Sequence, residues 1–214
     1  MKLRWKIWHI TCVVYFIYCI FGYIASHDKE ISLQLTPNQS TSVTLFSFND
    51  RVLEMELWFN ASFNNPRSEE LGEWWPYQKN GNILIFENPG EPVEIAVSLN
   101  GEPLLYSAMP KNGQGAEVAT KRLYPKQELP NGQWEWSYSA LNKKSILLKS
   151  GFNTIQLRVL RVGEALLGEV VTLDIYPELQ GRFSGSTWVE WLRLYFVWPV
   201  MLFILILWAM VMKR

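Results

Sequence analysis

Glu54 and Glu56 stand two residues apart, a spacing that puts both side chains on the same face of a β-strand. Two carboxylates flanking a cleft are the minimum for glycoside hydrolysis. On an alternating strand the simpler expectation is a solvated outer face, and the same holds for Asp28 and Glu30. Nucleophilic chemistry has less to work with. The two histidines are His9 and His27 and the two cysteines are Cys12 and Cys19. All four lie in or at the edge of one apolar stretch. The rest of the chain therefore cannot assemble a Ser-His-Asp or Cys-His mechanism, nor a zinc site of the common Cys/His kind. Gly113-Gln114-Gly115 lacks the strand-turn-helix setting of a phosphate loop, and neither H-E-x-x-H nor a D-x-D-x-D-G calcium loop occurs. The expectation is a protein that is not an enzyme, with no cofactor and no metal.

What remains is aromatic. Eleven tryptophans occur in 214 residues. Trp134, Trp136 and Tyr138 share one strand face and are expected in a core, although such a row can also stack sugars. Trp58 differs, since alternation sends it outward beside Glu54 and Glu56. The stretch 60–81 then places Trp74, Trp75 and Tyr77 among Glu69, Glu70 and Glu73. Clustered exposed aromatics mark interaction surfaces, and an acidic rim favours a basic partner. Trp58, Trp74, Trp75, Tyr77, Glu69, Glu70 and Glu73 are the candidate partner-binding residues. The competing account is a lid in which the tryptophans pack back onto the domain.

These residues need a scaffold, and the sequence divides sharply. Ile7–His27 is a run of 21 residues without Lys, Arg, Asp or Glu, and Leu194–Met212 is another of 19. About 20 apolar residues in helix cross a bilayer. Both runs are read as transmembrane helices. A cleaved signal peptide would fit Lys2, Arg4 and Lys6 but not the poor cleavage site at Ile24-Ala25-Ser26. Basic residues lie at both ends (Lys2, Arg4, Lys6, Lys213 and Arg214), which puts both termini in the cytoplasm. Setting those five aside, with Glu190 and Arg193 beside the second run, leaves fourteen basic and nineteen acidic residues in the middle. That balance of about five negative, like the zero net charge of the whole chain, argues against nucleic acid as a partner. Trp5, Trp8, Trp188, Trp191 and Trp208 fall where an interfacial aromatic belt would sit. Thr187 and Glu190 fit a capping box, and Pro199 is expected to disturb the second helix. Cys12 and Cys19 lie two turns apart, too far to bond within one helix.

The expected organisation is a cytoplasmic stub at 1–6, a transmembrane helix at 7–27, an extracytoplasmic domain at 28–186, a juxtamembrane turn and second transmembrane helix at 187–212, and a cytoplasmic end at 213–214. The central domain reads as β. Leu53, Met55, Leu57 and Phe59 alternate with polar residues, as do Val93–Leu99, Val171–Ile175 and Ile155–Val159. The apolar face shifts after Val159, which predicts a bulge. Asn100-Gly101 between two apolar runs predicts a hairpin. Strands are expected at 31–36, 41–48, 52–59, 82–87, 92–99, 103–108, 133–141, 153–162 and 168–176, with 60–81 and 109–132 as long loops. Such a pattern suggests an antiparallel β-sandwich, immunoglobulin-like by analogy. A cysteine-free exported domain fits a bacterial inner-membrane protein with a periplasmic domain. The function this implies is a non-enzymatic accessory or interaction subunit of an envelope complex, in contact with the lipid bilayer and a protein partner. An envelope glycan-binding module and a membrane immunity or phage-exclusion factor are the alternatives.

Overall fold

The computed structural model describes residues 3–80, 83–128, 134–135, 145–177 and 197–213. Strand accounts for 43% of it, which makes the protein mainly β. The chain divides into two compact units, one built from the segments up to His27 and from Pro177 onward, the other from Asp28–Tyr176.

In the first unit, α1 (Leu3–Ser26) is a 24-residue apolar helix. At 1.5 Å per residue it is about 36 Å long, enough to cross a bilayer core. Its partner, Trp198–Lys213, is 16 residues long. The indole N–H of Trp8 donates to the Leu205 carbonyl at 3.1 Å, and the Tyr15 hydroxyl donates to the Trp198 carbonyl at 2.7 Å. The two helices are therefore antiparallel, joined by polar groups of the kind that hold apolar helices together. Pro199 is the second residue of the described helix. Cys12 and Cys19 are free thiols. The expected capping box at Thr187 lies outside the described residues.

The second unit is built on one antiparallel sheet. Its long strands are β1 (Lys29–Gln34), β2 (Ser40–Ser47), β4 (Met55–Asn60), β7 (Val93–Leu99), β8 (Glu102–Ala108), β10 (Val118–Pro125), β14 (Gly151–Val162) and β15 (Val170–Ile175). Shorter pieces are β3 (Arg51–Val52), β5 (Tyr77–Asn80), β6 (Ile83–Phe86), β9 (Gly113–Gln114), β11 (Gln127–Glu128), β12 (Trp134–Glu135) and β13 (Leu147–Leu148). The long strands pair in the order β1-β15-β4-β10-β8-β7-β14-β2, and the sheet is nearly barrel-like. A sandwich divides its strands between two sheets, whereas here they hydrogen-bond in one unbroken series. Its edge strands, β1 and β2, are neighbours in the chain. The link between them bonds to both sides of the seam: Leu35 N–H to the Glu169 carbonyl, and Asn38 N–H to the Val159 carbonyl, each at 2.8 Å.

Local chemistry explains much of this. Leu33, Leu45, Leu57, Phe59, Ile95, Leu157 and Leu173 face inward on alternating strands and form one apolar core. Leu99 and Glu102 close the β7–β8 hairpin, with Asn100 at φ 59° and Gly101 at φ 101°. That two-residue turn with both φ positive is what Asn-Gly favours. The expected bulge lies on β14 between Val159 and Arg161, with Leu160 turned outward.

The expected 109–132 loop is a correction. β10 runs through it and forms the middle of the sheet between β4 and β8. The alternation is real, with Ala119 and Leu123 inward, but the inward position between them is Lys121, and a lysine there hides the strand. The other expected loop, 60–81, holds the helical turn α2 (Ser68–Leu71) and β5. It is pinned rather than free. Leu71 is fully buried in the core. Arg67 holds both carboxylate oxygens of Glu169, at 2.6 and 2.8 Å, pairs with Glu70, and donates to the Asn60 carbonyl at 3.1 Å. Behind the turn, Gly72 (φ 73°) and Gly90 (φ 66°) pass so closely that a Cβ on either would run into the other's backbone. Of the expected 133–141 strand, only Trp134–Glu135 is described, paired with β11. The rest, with the side chains of Trp134, Trp136 and Tyr138, lies outside the described residues.

Candidate functional site

β4 places Met55, Leu57 and Phe59 in the core as alternation requires, and Leu53 is buried just before it. Trp58 faces outward and is half-buried, its indole N–H donating to a Glu56 carboxylate oxygen at 3.3 Å. Glu56 is the surprise. It is not a solvated outer-face carboxylate but a buried one, 6% exposed. Besides Trp58 it accepts from the Tyr176 hydroxyl at 2.7 Å and the Asn112 amide at 3.2 Å, and it pairs with Arg122 at 3.6 Å. Sheet register explains the convergence. Arg122 on β10, Glu56 on β4, Asp174 on β15 and Glu30 on β1 stand opposite one another across four neighbouring strands.

Asp174 is the centre of this row. It is 1% exposed, and neither carboxylate oxygen has a hydrogen-bond partner among the described residues. Burial pushes its acidity down, and the neighbouring Asp28, Glu30 and Glu56 push it further, so that its pKa rises to about 7. The pair is thus divided by environment, Glu56 supplied with donors and Asp174 without them. Here the Asp174 carboxyl is buried, and the raised pKa favours its protonated form. Tyr176, beside it, is pushed upward by burial and by Glu56. Glu54, half-buried, contributes its carbonyl to the Tyr176 N–H at 3.2 Å. Of the other acidic pair, Glu30 is exposed and Asp28 is half-buried. Among the described residues, no group of three or more His, Cys, Asp or Glu is arranged to hold a metal ion.

A second hidden charge lies inside the sheet. Lys121 is wholly buried, its ammonium donating to the Glu91 carbonyl at 3.2 Å. Burial lowers its pKa to about 8, and the Glu91 carboxylate opposes that only in part. No periodicity in the sequence marks either Lys121 or Asp174 as buried. Each looks like an ordinary charge until strand register is known.

The expected binding cluster divides into two parts. Trp74 and Tyr77 fold back onto the domain. Trp74 packs against Phe86 with ring centres 5.3 Å apart, and both pack with Met109 and Tyr124. Glu70 is engaged by Arg67. Trp75, by contrast, is 67% exposed, standing edge-on against Tyr77 at 4.9 Å. Glu69 and Glu73 are exposed too. The lid account therefore describes Trp74 and Tyr77, while Trp75, Glu69 and Glu73 face solvent. Lys111 steadies the segment, donating to the Pro66 carbonyl at 3.1 Å and the Gln114 amide oxygen at 2.9 Å.

No protein-family model matches the chain, and no curated protein matches it. Among solved structures it is similar to a crystal structure of a protein from Sulfurospirillum deleyianum. Identity is 12% and the TM-score 0.39, over 71% of this chain and 97% of that one. A likeness that distant assigns neither fold nor function.

Proposed function

We propose that the protein is a membrane-anchored interaction module, a non-enzymatic accessory subunit of an envelope complex whose β-domain meets a protein partner outside the cytoplasm. In this reading both apolar segments span the bacterial inner membrane, both termini are cytoplasmic, and the domain is periplasmic. The observation that carries the binding role is Trp75. A large indole is held two-thirds exposed, not on a loose loop but on a platform of Trp74, Tyr77 and Phe86. A rigid aromatic offered to solvent gives contact area at little entropic cost. Exposed Glu69 and Glu73 nearby in the chain favour a basic partner and a salt-sensitive association. Trp58 and Glu70 belong to the supporting structure.

Two single substitutions test it. Trp75→Ala is expected to abolish capture of the complex from membrane extracts while leaving the melting temperature within a degree or two. Trp74→Ala removes the platform and is expected to lower the melting temperature by several degrees. Normal capture by folded Trp75→Ala protein overturns the site. Loss of binding to envelope glycan, with protein capture intact, would move the reading to the glycan module, since an exposed indole also stacks sugars.

A further inference from the structure

We infer that the end of the β-domain carrying Phe46, Phe48 and Phe152 is a bilayer-contact surface, inserting its rings at the headgroup boundary. This rests on the membrane-anchored reading above and adds to it a lipid-facing side for the domain.

The argument begins with where the chain enters and leaves the sheet. β1 starts at Lys29, paired with Ile175, and Ile175 in turn is paired with Met55. The start of β1, the finish of β15 and the start of β4 therefore share one end. β2 finishes there as well. Arg51, buried, donates to the Ser47 hydroxyl at 3.2 Å and to the Tyr176 carbonyl at 2.7 Å, which ties the last residue of β2 to the residue after β15. β14 starts opposite, with Gly151 paired to Ser47.

At this end three phenylalanines form one aromatic group, Phe46 and Phe152 exposed and Phe48 half-buried. Phe152 pairs across the strands with Phe46. Their ring centres are 5.1 Å apart, and Phe48 adds an edge-on contact to Phe46 at 5.0 Å. Phe152 is 82% exposed and Phe46 42%. Leu147, paired with Val52 next to Arg51, is also exposed. Placing such a group in water is unfavourable, and contiguous exposed apolar surface marks a contact.

The occupant follows from the tether. Only His27 and Asp28 separate α1 from β1, and three residue steps reach about 10 Å at most. If α1 spans the bilayer, the end of the domain that holds Lys29 lies within that reach of the lipid surface. Interfacial insertion of apolar side chains is typically about 5–10 Å deep. Phe is among the side chains that interfacial elements bury at that level. A protein partner at this end would have to fit in the same narrow space.

Single-cysteine chains in phospholipid vesicles, labelled with an environment-sensitive fluorophore, decide the matter. In a Cys12→Ser, Cys19→Ser background the label is placed by Phe152→Cys, and at the opposite end of the sheet by Leu167→Cys. Leu167 is also an exposed apolar residue (58%), which makes it a stringent control. A third chain keeps Cys12 alone to report on α1. At position 152 the label is expected to lose emission to lipids bearing nitroxide near the headgroup and little to aqueous iodide. At 167 the reverse is expected. Iodide quenching at 152 equal to that at 167 overturns the inference, and so does a label at 152 shielded from both quenchers, which would mean a protein covers it. Cys12 separates the two failures. If it is lipid-quenched while 152 is not, the anchor stands and the contact surface falls. If neither is, the anchored reading itself is wrong.

Discussion

Asp174 and Lys121 are opposite cases of one problem, a charge the fold has removed from water. For Asp174 the folded carboxyl keeps its proton up to about pH 7, while in the unfolded chain it loses it near the ordinary value of about 4. Between those limits the folded state binds more protons. The stabilisation is therefore complete below about pH 4 and is lost as pH rises through 7. Lys121 runs the other way. The folded ammonium gives up its proton near 8 and the unfolded one near the usual value of about 10.4. In that window the unfolded state binds more protons, so stability rises with pH. The expected melting curve of the full chain in detergent thus falls between pH 5 and 7.5 and turns upward above 8. Asp174→Asn is expected to flatten the first limb, and Lys121→Met the second. Lys121→Met should also match or exceed the parent stability at pH 7, because it replaces a buried ammonium held by the Glu91 carbonyl with an apolar side chain of similar length. A first limb that survives in Asp174→Asn would show that another group carries it. These two residues also mark where reading the sequence stops short. The alternation through Leu53–Phe59 is visible to the eye, but a charge on either face looks solvated until it is known which strands lie beside it. Register sets Asp174 between Glu30 and Glu56, and those residues are far apart in the chain.

At the scale of elements, the same gap between local and distant information explains what was legible. The Asn100-Gly101 hairpin and the β14 bulge depend on residues within a few positions of one another, and both follow from sequence. β10 was hidden because one inward lysine breaks the pattern by which strands are recognised. The single sheet could not be told from a sandwich, since pairings such as β15 with β4 join segments more than a hundred residues apart. The α2 segment was open to misreading for a different reason: its order comes from one side chain. Arg67 sits in the left-handed region at φ 51° and reaches β4, Glu70 and Glu169 at once. Removing it leaves Glu169 half-buried without its bidentate partner and frees the turn that seats Leu71. Arg67→Ala is expected to lower stability by about 2–3 kcal/mol, as charge-assisted bonds of this kind contribute. Arg67→Lys should recover only a minor part, since an ammonium cannot make the two parallel bonds. Denaturant midpoints measure both. Equal stability of the lysine variant and the parent would remove the bidentate pair from the account.

For the molecule as a whole, the deciding question is whether, and how many times, it crosses a membrane. Among the described residues, α1 alone meets the length requirement, at 24 residues. The described part of the C-terminal helix has 16 residues, about 24 Å of the roughly 30 Å that a bilayer core demands. Two features favour a second crossing all the same. That helix carries no Asp or Glu and a basic residue, Lys213, in its last turn, as the positive-inside rule expects for an end returning to the cytoplasm. It is also tied to α1 in antiparallel sense by the Trp8 and Tyr15 bonds, and polar side chains within a membrane find their partners on neighbouring helices. A phosphatase that works only outside the cytoplasm, fused after Asn100 in the β7–β8 hairpin, is expected to be active. The same enzyme fused after Arg214 is expected to be silent. Activity at both positions would mean a single crossing, with the C-terminal segment on the outer side, and would rule out two cytoplasmic termini. Silence at Asn100 would be more damaging. It would place the β-domain in the cytoplasm, and with it the Trp75 platform and the phenylalanine end, where neither an envelope partner nor an outer lipid surface could reach them.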